Sequence, residues 1–155
     1  MKLNEFKIYP FRKKIKGKLV WNKVCWWTVR HLESPKILQA YTAKKCLTCK
    51  KPYLIGKDHL GLTHMHGRLE RVDTYGNVHD PNLKGELGVI FLQKKNSGVG
   101  VVSHECCHAM LYTATTFTHV INYMSPLFGE VDEQMAQILG NLCNQIFVEL
   151  EKRPV

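Results

Sequence analysis

The stretch ELGVIFLQKKNSGVGVVSHECCHAM, residues 86–110, limits the fold of this chain more narrowly than any other part of it. Residues 86–93 form a short, strongly apolar run, which is typical of a buried strand. The glycine-containing segment NSGVG leads into a run that we expect to be helical over roughly 99–115. A strand, a short connection and an apolar helix are therefore predicted in direct succession. An edge strand beside such a helix could hold an extended peptide by strand addition.

The predicted helix carries the motif H-E-C-C-H, which begins at His104 and ends at His108. Residues four apart lie on the same side of an α-helix, so both histidines could direct an imidazole nitrogen at one metal ion. A zinc ion with three protein ligands lowers the pKa of a bound water to about 7, and Glu105 could accept the proton of that water. Apolar residues flank the motif, and buried polar groups need partners, which a metal site would supply. The alternative is a pair of core histidines without a metal.

A third ligand is expected on a last helix, predicted over 132–152 with Asp132 as its N-cap. Glu133 is the first candidate for this ligand. Ala136 and Gly140 share its helix face and are small, so we expect this face to pack closely against the metal helix. The two alternative third ligands are Glu130 and His119.

Together, these features resemble the gluzincin branch of zinc metallopeptidases, since SHECCHAM is followed 25 residues after His108 by Glu133 in an E-x-x-A. The run LGVIFLQ, the short loop and VVSHECCHA resemble, more closely still, small metallopeptidases encoded by phages and prophages. The resemblance covers roughly residues 85–145 and implies that His104, His108 and Glu133 bind zinc while Glu105 is the catalytic base. The histidine that steadies the oxyanion in larger gluzincins has no counterpart here. Its candidate replacements are His119, Tyr112 and Tyr123.

A second metal site is suggested by Cys46 and Cys49, whose C-x-x-C spacing in KKCLTCKKPY is that of a zinc knuckle. His59, His64 and His66 follow within 17 residues of Cys49. Two thiolates and two imidazoles would complete a tetrahedral structural site, which predicts the set Cys46, Cys49, His64 and His66. The alternative is a lysine-rich surface turn with two free cysteines. A redox dithiol is disfavoured because no βαβ pattern surrounds the pair.

Positive charge is concentrated in the first third of the chain. The formal charge of the whole chain is +9; residues 1–51 contain 14 Lys and Arg against two acids, and residues 52–155 contain eight against 11. This asymmetry predicts an acidic partner for the segment 1–51, either nucleic acid, an acidic protein or an acidic part of a substrate. The alternative is a solvated basic face that keeps the protein soluble.

The remaining patterns place strands before helices. Residues 5–11 predict a strand, and residues 62–79 predict a hairpin. Residues 19–29 suit the opening of a helix somewhat better than a second strand, and residues 36–43 could continue helical structure. This order predicts an α+β fold. The resemblance further implies that this fold is a minimal zincin-like domain, in which a small mixed or antiparallel sheet carries an active-site helix and a C-terminal glutamate helix.

A chain of 155 residues is expected to form a single domain, 1–155, with a basic segment 1–51 and a metal-binding core 85–152. No stretch approaches the roughly 20 apolar residues of a membrane span, and the basic start lacks the apolar region of a secretory signal. We therefore expect a cytoplasmic protein without a membrane partner, in the host cytoplasm if the chain is phage-encoded. The six cysteines are expected to be reduced or to bind metal.

Two functions of different kinds are compatible with these patterns. The first is a zinc metallopeptidase that hydrolyses peptide bonds of an intracellular protein target through a zinc-activated water. The second is a phage-type binding or inhibitor protein on a zincin scaffold, which acts through its basic N-terminal third on nucleic acid or an acidic protein. One catalytic zinc ion is predicted, with a possible second, structural one; manganese or iron could in principle occupy the same ligands.

Overall fold

In the part of the chain that the structure describes, two long helices follow a series of strands. The computed structural model describes residues 4–34, 40, 45–53, 59–66, 85–124 and 128–152, with the backbone alone between 115 and 132. The strands are β1 (Asn4–Ile8), β2 (Arg12–Ile15), β3 (Lys18–Trp21), β4 (Cys25–Leu32), β5 (Gly61–Met65) and β6 (Gly85–Gln93). The helices are α1 (Val99–Met124) and α2 (Phe128–Glu151). This arrangement confirms the predicted α+β class.

Among the described residues, the main sheet has four strands in the order β1-β4-β6-β5. Strands β4 and β6 are parallel, whereas β1 and β5 pair antiparallel with their neighbours, so the sheet is mixed. Strand β6 is therefore central, and its residues from Leu87 to Gln93 are all buried. The expectation that β6 could accept a peptide as an edge strand is wrong, because both of its edges are already paired. Within the described part of the chain, the edge strand next to β6 is β5.

Both faces of this sheet are covered. Strand β6 alternates, because Ile90 and Leu92 pack against the helices while Val89 and Phe91 lie in a second cluster on the opposite face. The helix side of the core includes Trp27, Val29, Val102, Cys106, Ala109, Leu142 and Ile146. The opposite cluster joins Leu32, Cys46 and Tyr53 to the sheet. The long apolar run of β6 thus reflects a strand that is buried on both faces.

Four expectations about the elements are wrong. The strand predicted over 5–11 ends at Ile8. Residues 19–29 do not begin a helix, because they contribute to strands β3 and β4, and β4 is paired on both of its edges. Helix α1 continues to Met124 instead of ending near 115, although its threonines have a weak helix propensity. Helix α2 begins at Phe128, so Asp132 lies inside it and is not its N-cap. The predictions for residues 36–43 and for the second half of the hairpin 62–79 concern residues that the structure does not describe, except for Ala40.

Two glycines offer a direct test of this packing. A Cβ atom at Gly88 in β6 would overlap the carbonyl oxygen of His64 in β5 and the ring of Trp27, whereas one at Gly140 in α2 would meet nothing within 4 Å. We expect Gly88→Ala to lower the free energy of unfolding by about 3 kcal/mol. We expect Gly140→Ala, on an exposed helix surface, to raise it by about 0.5–1 kcal/mol. Urea denaturation followed by circular dichroism measures both, and equal effects would contradict the described register.

Candidate metal centres

The two histidines of the α1 motif are one helical turn apart, and both are exposed. Their Nε2 atoms are 3.1 Å apart, and their rings are steeply inclined at 83°. A zinc ion bound to two imidazole nitrogens at about 2.0–2.1 Å with tetrahedral angles requires those nitrogens to be about 3.3 Å apart. The spacing of His104 and His108 therefore fits a shared metal ion. It also suits an N–H···N hydrogen bond between neutral rings, which keeps the nitrogens converged without a metal.

The glutamate between these histidines is buried against the edge strand. Glu105 is 5 % exposed, and its Oε2 accepts a hydrogen bond of 2.7 Å from the Thr63 hydroxyl in β5. The same hydroxyl lies 3.0 Å from the Glu105 carbonyl oxygen. A Cβ atom at Gly61 would lie 2.8 Å from Cγ and 2.9 Å from Oε1 of Glu105, so a glycine permits the close approach of β5. Strand β5 thus fixes the position of this carboxylate.

A cavity of about 350 Å³ opens between the start of β5 and the first turns of α1. Its lining consists of His59, Leu60, Gly61, Gly100, Val101, His104 and Glu105. The volume lies at the lower end of the range of small-molecule sites, about 300–1,000 Å³. One predicted ligand and the predicted base therefore border the same concave surface.

The predicted third ligand lies on an exposed face of α2. Glu133, Ala136 and Gly140 are all exposed, so the expectation that this face packs closely against the metal helix is wrong. A different face of α2 is buried instead, where Leu142 and Ile146 are fully enclosed. Among the side chains that the structure describes, none joins both motif histidines in a group of three ligand atoms within 4.8 Å of one another. The assignment of Glu133 stays a prediction.

The other predicted residues of this site divide into two groups. Tyr112 is buried, and its ring meets that of Trp27 edge-on at 5.7 Å, a position that favours packing over contact with a substrate. The structure does not describe the side chains of the remaining candidates. These are Glu130, His119 and Tyr123.

The second predicted site is assembled from a turn and from the edge strand. Cys46 and Cys49 lie in a turn in which the amide of Lys50 donates to the Cys46 carbonyl at 2.9 Å. Lys50 has a φ of 61°, and this left-handed residue reverses the chain after the second cysteine. His64 lies in β5 and His66 directly follows it, so two residues of spacing place both imidazoles on one side of the strand.

The four side chains converge on one point. The Cys46 Sγ atom lies 3.5 Å from His66 Nδ1, and the Cys49 Sγ atom lies 3.2 Å from His64 Nε2. All four ligand atoms lie within 4.8 Å of one another. Tetrahedral zinc, with bonds of about 2.3 Å to sulfur and about 2.0–2.1 Å to nitrogen, places S and N about 3.5 Å apart. This Cys2His2 group could hold a metal ion.

The surroundings of the Cys2His2 group favour the ligand forms of two of its members. Burial raises the pKa of Cys46, but backbone hydrogen bonds from Cys49 and Thr48 and the Tyr53 hydroxyl outweigh it and bring that pKa below its ordinary value. Burial, together with the charges of His66 and Lys51, lowers the pKa of His64 and keeps its imidazole neutral. A thiolate and a neutral imidazole are the species that bind a metal.

An outer partner, Glu86 in β6, was not anticipated from the sequence. Its Oε1 lies 2.5 Å from His66 Nε2, and its Oε2 accepts a hydrogen bond from the Thr28 hydroxyl in β4. Burial raises the pKa of Glu86, but the hydrogen bonds from His66 and Thr28 outweigh it and lower that pKa. Because His66 faces Cys46 through Nδ1 and Glu86 through Nε2, the arrangement matches the carboxylate–histidine–metal pattern of metal sites.

Strand β5 separates the two centres. Thr63 faces α1 and contacts Glu105, whereas the next residue, His64, faces Cys49 on the other side of the sheet. Side chains of successive strand residues point to opposite faces, so one edge strand contributes to both centres. Neither Thr63 nor Gly61 carries a sequence signal that would have identified it, because each acts through a contact distant in sequence.

Comparison with known proteins gives no match to this chain among protein-family models, curated proteins or solved structures. None of the described helices combines the length and the apolar character that crossing a membrane requires. The interpretation of the two centres therefore rests on their geometry and chemistry.

Proposed function

We propose that the protein is a zinc-dependent metallopeptidase that hydrolyses peptide bonds of a protein target. In this proposal His104 and His108 bind the zinc ion and Glu105 is the general base. The observation that carries the proposal is the convergence of the two Nε2 atoms, 3.1 Å apart, beside a cavity that Glu105 also lines. Because both histidines are exposed, their ring nitrogens are accessible to a metal ion, and the buried Glu105 borders the same cavity as His104.

The bound zinc would act as a Lewis acid that polarises the scissile carbonyl and lowers the pKa of a water. Glu105 would accept a proton at a carboxylate oxygen and pass it to the leaving amine. The hydrogen bond from Thr63 to Oε2 of Glu105 holds one carboxylate oxygen in place, which limits the directions in which the other can accept a proton. The close approach of Gly61 restricts the same side chain from the strand side.

The substrate would bind along β5. As far as the structure describes the chain, this strand is the edge of the sheet next to the motif helix, and a sheet edge can accept an extended peptide through backbone hydrogen bonds. The cavity begins at Gly61 and reaches His104, so a side chain of a peptide aligned on β5 could enter it. The proposal thus assigns to β5 the role that sequence analysis gave to β6.

The third ligand in this proposal is Glu133, with Glu130 and His119 as alternatives. The Cys2His2 group of Cys46, Cys49, His64 and His66 is proposed to bind a second, structural zinc ion. Four protein ligands leave no open position for a substrate, which is typical of structural rather than catalytic zinc.

Metal content tests the proposal first. We expect wild-type protein to contain about two equivalents of zinc and His104→Ala to contain about one, because an imidazole of the motif pair is lost. His59→Ala is the matched control, since His59 lines the same cavity but belongs to neither ligand set. Elemental mass spectrometry measures the zinc, and wild type, unlike His104→Ala, should generate new peptide termini in a proteome-derived peptide library. Equal zinc in wild type and His104→Ala would overturn the assignment of the site.

A further inference from the structure

The basic N-terminal segment forms a separate β-ribbon. Strands β2 and β3 pair only with each other among the described strands, in the register Lys13↔Val20 and Lys14↔Leu19. Their turn consists of Lys16 and Gly17, with φ values of 48° and 80°, as in the tight turns that suit the twist of a hairpin. Every residue from 12 to 20 is exposed. This hairpin buries little of itself, so its side chains are available to a partner.

The charge of this hairpin is uniformly positive. Its cations are Arg12, Lys13, Lys14, Lys16 and Lys18, with Lys23 just beyond it. The sequence contains no acidic residue between Glu5 and Glu33. A partner that neutralises this charge must therefore supply many anionic groups over a short distance.

The cations lie on both faces of the ribbon. Side chains alternate along a strand, and register partners share a face, so Arg12 and Lys14 occupy one face while Lys13 and Lys18 occupy the other. An acidic patch on a protein would contact one face at a time. The groove of duplex DNA presents a phosphate backbone on each side, and the major groove, about 12 Å wide, admits a two-stranded β-ribbon. A groove therefore neutralises both faces at once.

The hairpin also exposes apolar groups between its cations. Leu19 is 65 % exposed and Ile15 near the turn is 46 % exposed. The Arg12 guanidinium stacks over the Trp21 ring at 4.3 Å, which holds that cation near the base of the hairpin. Apolar side chains that accompany cations can contact base edges or wedge between base steps in a groove. Double-stranded RNA fits less well, since its major groove is too narrow for side chains to read.

We propose that the β2–β3 hairpin is a DNA-binding arm that enters a groove of duplex DNA and contacts the phosphates on both sides. The proposal goes beyond the peptidase function and does not depend on it, because no hairpin residue belongs to either metal centre. The hairpin residues supply charge and shape complementarity to a groove. The proposal therefore implies DNA binding that depends little on base sequence.

Fluorescence anisotropy with a labelled duplex DNA of about 20 base pairs tests the arm on the intact chain. The triple variant Lys13→Gln, Lys14→Gln and Lys18→Gln removes cations from both faces without altering the turn. The matched control replaces Lys94, Lys95 and Lys152 by glutamine, which removes the same charge elsewhere. We expect the hairpin variant to bind about tenfold or more weakly near 0.1 M salt, with a salt slope smaller by about 2–3. We expect the control to stay within about threefold of wild type.

Four outcomes would overturn the proposal. Equal losses in the two triple variants would indicate a diffuse charge effect. Unchanged binding in the hairpin variant would place the DNA contacts elsewhere. Hairpin-dependent binding of poly-glutamate without binding of duplex DNA would indicate an acidic protein partner. Equal affinity for single-stranded DNA or double-stranded RNA would exclude entry into a DNA groove.

Discussion

Cys46→Ser is expected to remove about one equivalent of zinc and to destabilise the protein by about 4 kcal/mol, since loss of a metal is among the largest effects of a single substitution. Among the residues that the structure describes, the turn that carries Cys46 contributes Cys46 and Tyr53 to the buried cluster on its side of the sheet, and Cys49 packs against that cluster. A metal ion would attach this turn to β5 through His64 and His66. For a domain of this size, such a loss lowers Tm by about 8–16 °C.

Three further measurements make this prediction specific. Cys107→Ala replaces a half-buried cysteine of α1 that lies outside the Cys2His2 group, so we expect it to keep its zinc and its Tm. Prolonged treatment of wild type with a chelator should lower Tm at least to the value of Cys46→Ser. Glu86→Gln should weaken metal retention about 10–100-fold without removing a ligand, because Glu86 orients His66. Unchanged zinc content and Tm in Cys46→Ser would show that the four side chains only pack together.

Glu105→Gln is expected to retain zinc and to lose peptide hydrolysis by a factor of about 10²–10⁴, the usual contribution of a general base. Glutamine keeps the size of the side chain and an oxygen that can accept the hydrogen bond of Thr63, so the fold should be preserved. It cannot take up the proton that the carboxylate accepts. The measurement combines elemental mass spectrometry with the rate of cleavage of a peptide identified from the library.

The contrast with Glu133→Gln separates a base from a ligand. If Glu133 is the third ligand, its variant should lose zinc as well as activity, whereas Glu105→Gln loses activity alone. Glu151→Gln, an exposed position at the end of α2, should change neither. Cleavage by Glu105→Gln at the wild-type rate would contradict the assigned base. Full zinc retention by Glu133→Gln would direct the search to Glu130 and His119.

Several secondary-structure elements could be predicted from residue patterns within single segments of the chain. The run 86–93 is strand β6, and the helix expected from residue 99 begins at Val99. Leu142 and Ile146, which are spaced about one helical turn apart in the sequence, are both fully buried. The class of the fold followed from the order of these elements. Each of these inferences depends on a periodicity that is complete within one segment, which is why the sequence alone was enough.

The boundaries and neighbours of the elements were not predictable in the same way. The spacing of the aromatic residues in β4 suits a helix, but the pairing of this segment with β1 and β6 makes it a strand. Likewise, the exposure of Glu133 and Gly140 follows from the way α2 packs against α1 and the sheet with its other face. Both outcomes depend on segments that are far apart in the chain, and hydrophobic periodicity carries no information about such partners.

The two candidate metal centres combine information of both kinds. The sequence by itself determined which residues of each motif are candidate ligands, because H-E-x-x-H and C-x-x-C place their side chains within a single turn of the backbone. Only the tertiary structure decided that His64 and His66 meet the two cysteines, that Glu86 supports His66, and that Thr63 and Gly61 confine Glu105. Strand pairing brings these groups together, since β5 lies beside β6 and presents alternate residues to α1 and to the cysteine turn. Contacts of this kind form when segments pack, and no single segment specifies them.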